Sequence, residues 1–583
     1  MNFIRLAYET RSFITFLNFL IFKSPIKRVW AWILGYRFHK STLIWFISGN
    51  GIRTRLTLML PRLCNDLPDL KKVDLAFKIF NEQGRLVKAW GHKDVLVDCP
   101  YVIDSKNFEP TFQTPKNYHL PVPFEGSILV TQTLHYPDKK RLYEKNGGLF
   151  ASAGTYIDYF KAGSFITTLH DYCAYLPDQG LHFKHIGMIP AYENEKEETF
   201  LIFHAAGAGI KKRDLTVEVV NAAGEKKQTR LQSMKPFSLR KIFISELFPD
   251  ISTFLGGRLG QVRVRGNFRC MIGRIAYGIY QKKTKTFSLD HCYYAQIEKK
   301  TYLSTDQQKK IKKGFFNPFI VLDNDQTNMS IILFHNEQDQ PHDLDILLYD
   351  ERGKCILKKE RFIHVEKNNV KVIRLRELLQ EAKISGAFMG HGEILYSSHQ
   401  HKMRTDLDLY LEIRKGETVA NVIFGAKAWN PPRAVVKPEH GADFGCRMVC
   451  DDTHTTYFGI SNCSHDYHYN VEVHFDLHLI AGGRIIETLP MTIGPEATLY
   501  QSIEVFFPHV KEQLKPFEGV GLLSYHLKNA NYLVTVFLTE DRKTQALSLE
   551  HTLAMPNFFR AKETASIGSP TILVADPTIE ATN

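Results

Sequence analysis

The segment Asp343–Lys354 (DLDILLYDERGK) sets Leu344, Ile346 and Leu348 at alternate positions and closes on Gly353. Apolar residues at period two mark a strand with one buried face, and a glycine free to take positive φ marks the turn behind it. The stretch therefore predicts the first arm of a β-hairpin. The same phrase stands at Asp74–Gly84 (DLAFKIFNEQG) and Asp214–Gly224 (DLTVEVVNAAG), each with an Asp-Leu pair ten residues before the glycine. A looser copy, VHFDLHLIAG, ends at Gly482, so the four glycines are 140, 129 and 129 residues apart.

A second landmark runs in step with the first. A glycine followed by a short apolar run recurs as GSILV at Gly126, GQVRV at Gly260, GEILY at Gly392 and GLLSY at Gly521, spaced 134, 132 and 129 residues. Two series with one period predict four tandem copies of a β-rich unit. The boundaries that follow are a segment over 1–45, repeats over 46–180, 190–298, 315–430 and 444–560, and a disordered tail over 561–583. Between repeats 2 and 3 lies the lysine-rich EKKTYLSTDQQKKIKKG, and between 3 and 4 the proline-rich AWNPPRAVVKPEHG, a stiff linker.

Each copy carries about seven short strand patterns and almost no helical periodicity. IFISELF (Ile242–Phe248) and IRLRELL (Ile373–Leu379) predict a strand running into a short helical turn, and in repeat 4 Pro508 is expected to stop the strand of IEVFFPH. The fold class is all-β: four tandem antiparallel sandwiches of about 130 residues, preceded by a short helical segment.

The order of strand, Asp-x-x-Gly-like turn, strand, Glu-Leu bend and glycine-led strand resembles tandem immunoglobulin-like sandwich repeats of bacterial proteins. It is similar in particular to the sensory-rhodopsin-transducer type of sandwich, over roughly residues 50–555. The resemblance implies a module that binds a ligand or partner, and it carries no catalytic residues to transfer.

Composition agrees with a globular chain: 44% hydrophobic, 23% charged, with 40 Phe and 25 Tyr that favour strands. The net charge of +12 is local, because residues 1–40 hold seven Lys/Arg against Glu9 alone. That excludes a general nucleic-acid surface from the expected partners. Nine cysteines do not recur in register, which predicts reduced thiols and a cytoplasmic location. In residues 1–45, SFITFLNFLIF and VWAWILGY flank a basic break at Pro25, with Trp30, Trp32 and Trp45 close together. Neither run reaches the roughly 20 residues of a spanning helix. Two readings stand: a helical hairpin packed on repeat 1, or a peripheral contact with an anionic membrane surface.

Candidate chemistry concentrates in repeat 4, where Cys446, Cys450, Asp451, Asp452, His454, Cys463, His465 and His468 lie within 23 residues. Beyond them Glu472, His474, Asp476 and His478 alternate along one strand face, as metal donors or as a solvated stripe. SLDH (Ser288–His291) and SLEH (Ser548–His551) close repeats 2 and 4, and TLH at Thr168–His170 stands in repeat 1; a capping role for the final strand is expected. His204, His335 and Asn462 occupy one position in three repeats and read as turn residues bonding their own backbone. No P-loop, G-x-S-x-G, HExxH or dinucleotide fingerprint occurs, so no catalytic residue and no cofactor is expected. The functional expectation is a non-enzymatic binding or scaffold protein for a protein or carbohydrate ligand. The other reading is an enzyme on carbohydrate or lipid, with its site in repeat 4 or in repeat 1 loops.

Overall fold

The computed structural model describes residues 38–49, 51–60, 70–97, 101–108, 120, 123–134, 154–161, 164–172, 185–207, 209–266, 270–271, 275–292, 294–296, 317–323, 327–335, 341–396, 407–423, 442–463, 469–482, 484–528, 533–550, 553–554 and 573–574. Residues 1–37, both connectors and most of the tail lie outside these. Among the described residues no helix is long and apolar enough to cross a membrane.

The strands form four successive sets. The first comprises β1 (Phe38–Gly49), β2 (Ile52–Met59), β3 (Lys72–Asn81), β4 (Leu86–Leu96), β5 (Tyr101–Asp104), β6 (Phe124–Leu134), β7 (Gly154–Lys161) and β8 (Ser164–Tyr172). The second is β9 (His185–Ala191), β10 (Glu197–His204), β11 (Leu215–Val220), β12 (Lys226–Arg230), β13 (Leu239–Phe243), β14 (Gly260–Gly266), β15 (Ala276–Gln281), β16 (Thr286–His291) and the short β17 (Tyr294–Gln296). The third holds β18 (Asn317–Asp323), β19 (Thr327–His335), β20 (His342–Asp350), β21 (Cys355–Val365), β22 (Val370–Arg374), β23 (Phe388–Tyr396), β24 (Leu407–Lys415) and β25 (Thr418–Ile423). The fourth has β26 (Ala442–Val449), β27 (His454–Ser461), β28 (Val473–Ala481), β29 (Arg484–Ile493), β30 (Thr498–Ser502), β31 (Val520–Leu527), β32 (Val534–Asp541), β33 (Leu547–Glu550) and β34 (Leu553–Ala554); in the tail, β35 (Leu573–Val574) pairs in parallel with β5.

Among the described residues every set repeats one connectivity, with eight recurring strands rather than about seven. Its first, sixth, third and fourth strands lie side by side in one sheet, and its fifth, second, seventh and eighth in another. In the first set β1 also pairs with β2, which fuses the two into a nine-stranded sheet. All pairings but that of β35 are antiparallel.

The alternation read from the sequence is the inner face. Leu344, Ile346 and Leu348 on β20 are fully buried, as are Val217 and Val219 on β11 and Phe77 and Ile79 on β3. The turns share a mechanism: Asn81, Asn221 and Asp350 accept backbone N–H bonds with their side-chain oxygens, and Gly84, Gly224 and Gly353 close them at φ near +80°.

The strand registers correct the second landmark in one copy. Asn81 stands opposite Gly126 and Asp350 opposite Gly390, while Val220 opposite Gln261 places Gly260 at the same point. Gly390, not Gly392, is therefore the third member; GHGEILY offers two glycines and the apolar run favours the wrong one. In the fourth set the strand yields to a helix at Ile503–Phe506, well before Pro508, which sits between that helix and Val510–Leu514. The segment assigned to 1–45 also ends early: Phe38–Trp45 belong to β1, and Trp45 is buried, donating through Nε1 to Glu125 at 2.9 Å.

Candidate functional site

The four sets pack on one another through their second sheets. Phe200, Ile202, Phe287 and Leu289 project from β10 and β16 away from their own core and into that of the first set, where Phe200 and Phe287 meet Trp45. In the same way Ile332, Phe334, Tyr410 and Val419 of the third set join the second core, and Val534, Val536, Leu547 and Leu549 of the fourth join the third. Tyr156 of the first set enters the core of the fourth. The second sheets of the second and third sets are thus apolar on both faces, which the sequence shows as the near-continuous runs FLIF and IILF, whereas that of the first set turns Arg55, Asp104 and Asp158 outward.

The eighth strands meet at the centre. β8 touches β16 and β33, and β25 touches β16 and β33, so the four close on themselves. Thr167 Oγ1 accepts from Leu289 N at 3.2 Å, Ser548 Oγ accepts from Thr168 N at 3.0 Å, Gln281 Nε2 donates to Val419 O at 3.1 Å and Thr418 Oγ1 donates to Gln545 O at 2.6 Å. The SLDH motif and the Ser-Leu-Glu of SLEH lie on these final strands, with Ser288, Asp290, His291, Ser548 and Glu550 buried.

At the joints, a turn of each later set enters the first sheet of the set before it. Phe237, Asn368 and Glu496 hold equivalent places, two residues ahead of β13, β22 and β30, and all three take positive φ between 56° and 62°. What each meets differs. Phe237 stacks on Phe80 at 4.7 Å. Asn368 Oδ1 accepts from Arg263, whose Nε also donates to Gln261 Oε1 at 2.8 Å. Glu496 faces His391, with Oε2 3.3 Å from the imidazole Nε2, and Glu393 Oε1 lies 3.7 Å from the same nitrogen. His391 and Glu393 are two apart on β23 and so share a face; both are fully buried. The imidazole stacks on Tyr349 at 4.6 Å, and its Nδ1 lies 3.3 Å from Thr498 Oγ1. Burial opposes a charge on His391, and the Glu393 and Glu496 carboxylates outweigh it, raising its pKa.

The joint between the fourth and first sets is ionic. Arg447 Nε lies 2.6 Å from Asp158 Oδ2, and Thr168 Oγ1 donates to Asp158 Oδ1 at 2.8 Å. Burial pushes Asp158 up and Arg447 down, each against the other's attraction. At the rim Glu518 meets Arg53 at 2.9 Å, Lys106 at 2.7 Å and Arg55.

The stripe on β28 takes separate partners. His474 Nδ1 bonds Thr492 Oγ1 at 3.0 Å with Glu472 3.7 Å from its other nitrogen, Asp476 pairs with Lys528 at 2.7 Å, and His478 bonds Thr488 Oγ1 at 2.8 Å. Among the described residues the group whose donor atoms converge to ligand spacing is instead His391, Glu393 and Glu496. Only the i, i+2 placement of His391 and Glu393 was visible in sequence; Glu496 comes from a turn 103 residues on. Cys446, Cys450 and Cys463 are buried, and burial raises the first two thiols, Cys450 to about 12, which leaves them poor nucleophiles and ligands. His465 and His468 lie outside the described residues. Asn462 does not bond its own turn: its Nδ2 donates to Val471, Ile493 and Gly494 carbonyls. His204 ends β10 fully desolvated, which lowers its pKa to about 3.

No family model and no curated protein matches the chain.

Proposed function

We propose that the chain is a non-enzymatic binding or scaffold protein, in which four immunoglobulin-like sandwich repeats of about 130 residues, akin to the transducer type, close into a ring. The observation that carries this reading is the burial of both faces of every second sheet. This packing leaves the first sheets facing outward, with β4, β12, β21 and β29 as edge strands among the described residues. A ring fixes the spacing of four such surfaces, so a partner engaging two of them binds with a high effective concentration. Leu86 and Leu96 on β4, and Ile485 and Ile486 on β29, are exposed on these edges, where an extended peptide or a flat sugar face would be received. A membrane tether through the N-terminus would use residues 1–37, because Trp45 is in the core.

The test incubates the full chain with a panel of polysaccharides, extended peptides and anionic phospholipid vesicles. Binding and product formation are read in parallel, with Leu86→Lys and Ile485→Lys variants beside the wild type. Saturable binding without turnover, weakened by either variant, is expected. Turnover of a polysaccharide or phospholipid would overturn the reading in favour of a hydrolase.

A further inference from the structure

The joint between the third and fourth sets holds a buried imidazole nitrogen that faces two carboxylates at once and is hydrogen-bonded to neither. His454 Nδ1 approaches Asp451 to 2.8 Å and His364 Nδ1 approaches Asp343 to 2.7 Å, the ordinary lengths of charge-assisted hydrogen bonds. His391 Nε2 instead stands back from both carboxylates, at 3.3 and 3.7 Å, and makes no hydrogen bond although its side chain is wholly buried. Donor atoms that bind one zinc-sized ion at about 2.0–2.2 Å in a tetrahedron sit about 3.3–3.6 Å from one another. The three donor atoms here lie within 4.8 Å of one another.

A second observation comes from the neighbouring joint. The positions equivalent to His391 and Glu393, one and three residues past the landmark glycine, are Gln261 and Arg263 in the second set. There the turn residue Asn368 meets a buried guanidinium. In the later joint the same three places carry imidazole and two carboxylates, so the organic cation has been replaced by donors that suit an inorganic one. The imidazole is also oriented as metal-bound histidines are: Nε2 faces the carboxylates while Nδ1 is held by Thr498 and the ring by Tyr349.

We propose that His391 Nε2, Glu393 and Glu496 bind a divalent transition-metal cation of the zinc class, which staples the third set to the fourth. Imidazole nitrogen with carboxylate oxygen is a donor set for zinc, manganese or iron(II), and three protein donors leave one position for water. The ion is structural here. Glu496 is offered by a turn, so binding couples directly to docking of the two sets.

The test uses the full-length chain freed of metal by chelator and dialysed against zinc, with bound metal counted by mass spectrometry and affinity measured by competition with a chromophoric chelator. Cobalt(II) loading provides an absorption spectrum that reports low-symmetry N/O coordination. The expected result is one zinc per chain and a higher Tm with metal. Glu496→Gln, a near-isosteric change at a turn, should lose the zinc and the Tm response while remaining folded, and His391→Ala should lose both as well. The double variant His474→Ala/Glu472→Ala, at the exposed start of β28 and the residue before it, should keep both. A wild type that holds no zinc at saturation, or a Glu496→Gln chain that binds it undiminished, would overturn the proposal.

Discussion

Tyr156 on β7 donates its hydroxyl to the backbone carbonyl of Gly445 on β26, at 3.3 Å and across 289 residues. Tyr410 on β24 does the same to Met188 on β9, at 2.6 Å. The two bonds are equivalent. Each tyrosine is five residues before the end of its seventh strand, and each acceptor faces the residue three past a landmark glycine: Arg263 opposite Met188, Ser524 opposite Gly445. The first and fourth sets thus meet as the second and third do, which is what closure of a ring requires.

If that equivalence is energetic as well as geometric, Tyr156→Phe and Tyr410→Phe cost similar amounts. Each removes a donor from a buried carbonyl, so about 1 kcal/mol apiece is expected, read as a shift in the urea midpoint. A Tyr156→Phe change with no effect beside a clear loss for Tyr410→Phe would mean that the fourth and first sets are not held together in solution.

The ionic contact at the same joint gives a sharper contrast. Asp158→Asn leaves the Arg447 guanidinium buried beside a neutral amide, and about 3–5 kcal/mol of stability should be lost. Replacing both partners, as Asp158→Leu with Arg447→Met, should recover most of that, because burial already works against the charge on each side. Equal losses from the single and the double change would show that packing, not charge, governs this joint.

The landmark glycines separate strain from docking. Gly353 and Gly224 have nearly the same φ, 84° and 81°. A Cβ on Gly353 would lie 2.4 Å from Pro495 O of the next set, whereas on Gly224 the nearest atom, Lys367 O, is 4.0 Å away. Gly224→Ala should therefore cost only the left-handed backbone penalty, about 1 kcal/mol, and Gly353→Ala should cost more by up to a further 1–3 kcal/mol. Equal midpoints in chemical denaturation would show that the turn of the third set is not pressed against the fourth.

The difference between these two glycines also shows what a sequence displays and what it hides. The hairpin turn at Asp350–Gly353 is local: a side-chain acceptor, two spacers and a glycine fix it, and those are readable in the first three copies, while the fourth keeps only the glycine. So was the short helix after β22, since Leu375, Leu378 and Leu379 fall on one buried face. Closure of the ring was not readable. It depends on Tyr156 finding Gly445, two residue types with no pattern of their own, and on Arg447 pairing with Asp158, while second-sheet strands of the later sets carry outward residues as apolar as the inward ones. The Ser-Leu-Asp-His repetition reads in sequence as a cap on the final strand, because nothing within one repeat says that four last strands converge. The His391–Glu393–Glu496 group is hidden for the same reason: its third member arrives from the next repeat, while the denser stripe at 472–478 disperses onto separate partners.

His454 gives the chain a pH response that is separate from the joints. It is buried between Asp451, 2.8 Å from Nδ1, and Asp541, 3.4 Å from Nε2, with Glu504 and Arg542 beyond Thr455. Burial disfavours the imidazolium, yet the two aspartates prevail and raise its pKa from 6.5 to about 9. A group whose folded pKa exceeds its unfolded value stabilises the fold fully below the unfolded pKa and loses that contribution as pH climbs to the folded one. The window is therefore pH 6.5 to about 9, with a slope of up to about 1.4 kcal/mol per pH unit from this one proton. His454→Gln keeps a donor toward Asp451 but cannot titrate. Its unfolding midpoint should be lower than that of the wild type at pH 6 and should converge with it by pH 9.5. Parallel curves across that range would mean that His454 is neutral in the folded chain and that the two aspartates hold it by hydrogen bonds alone.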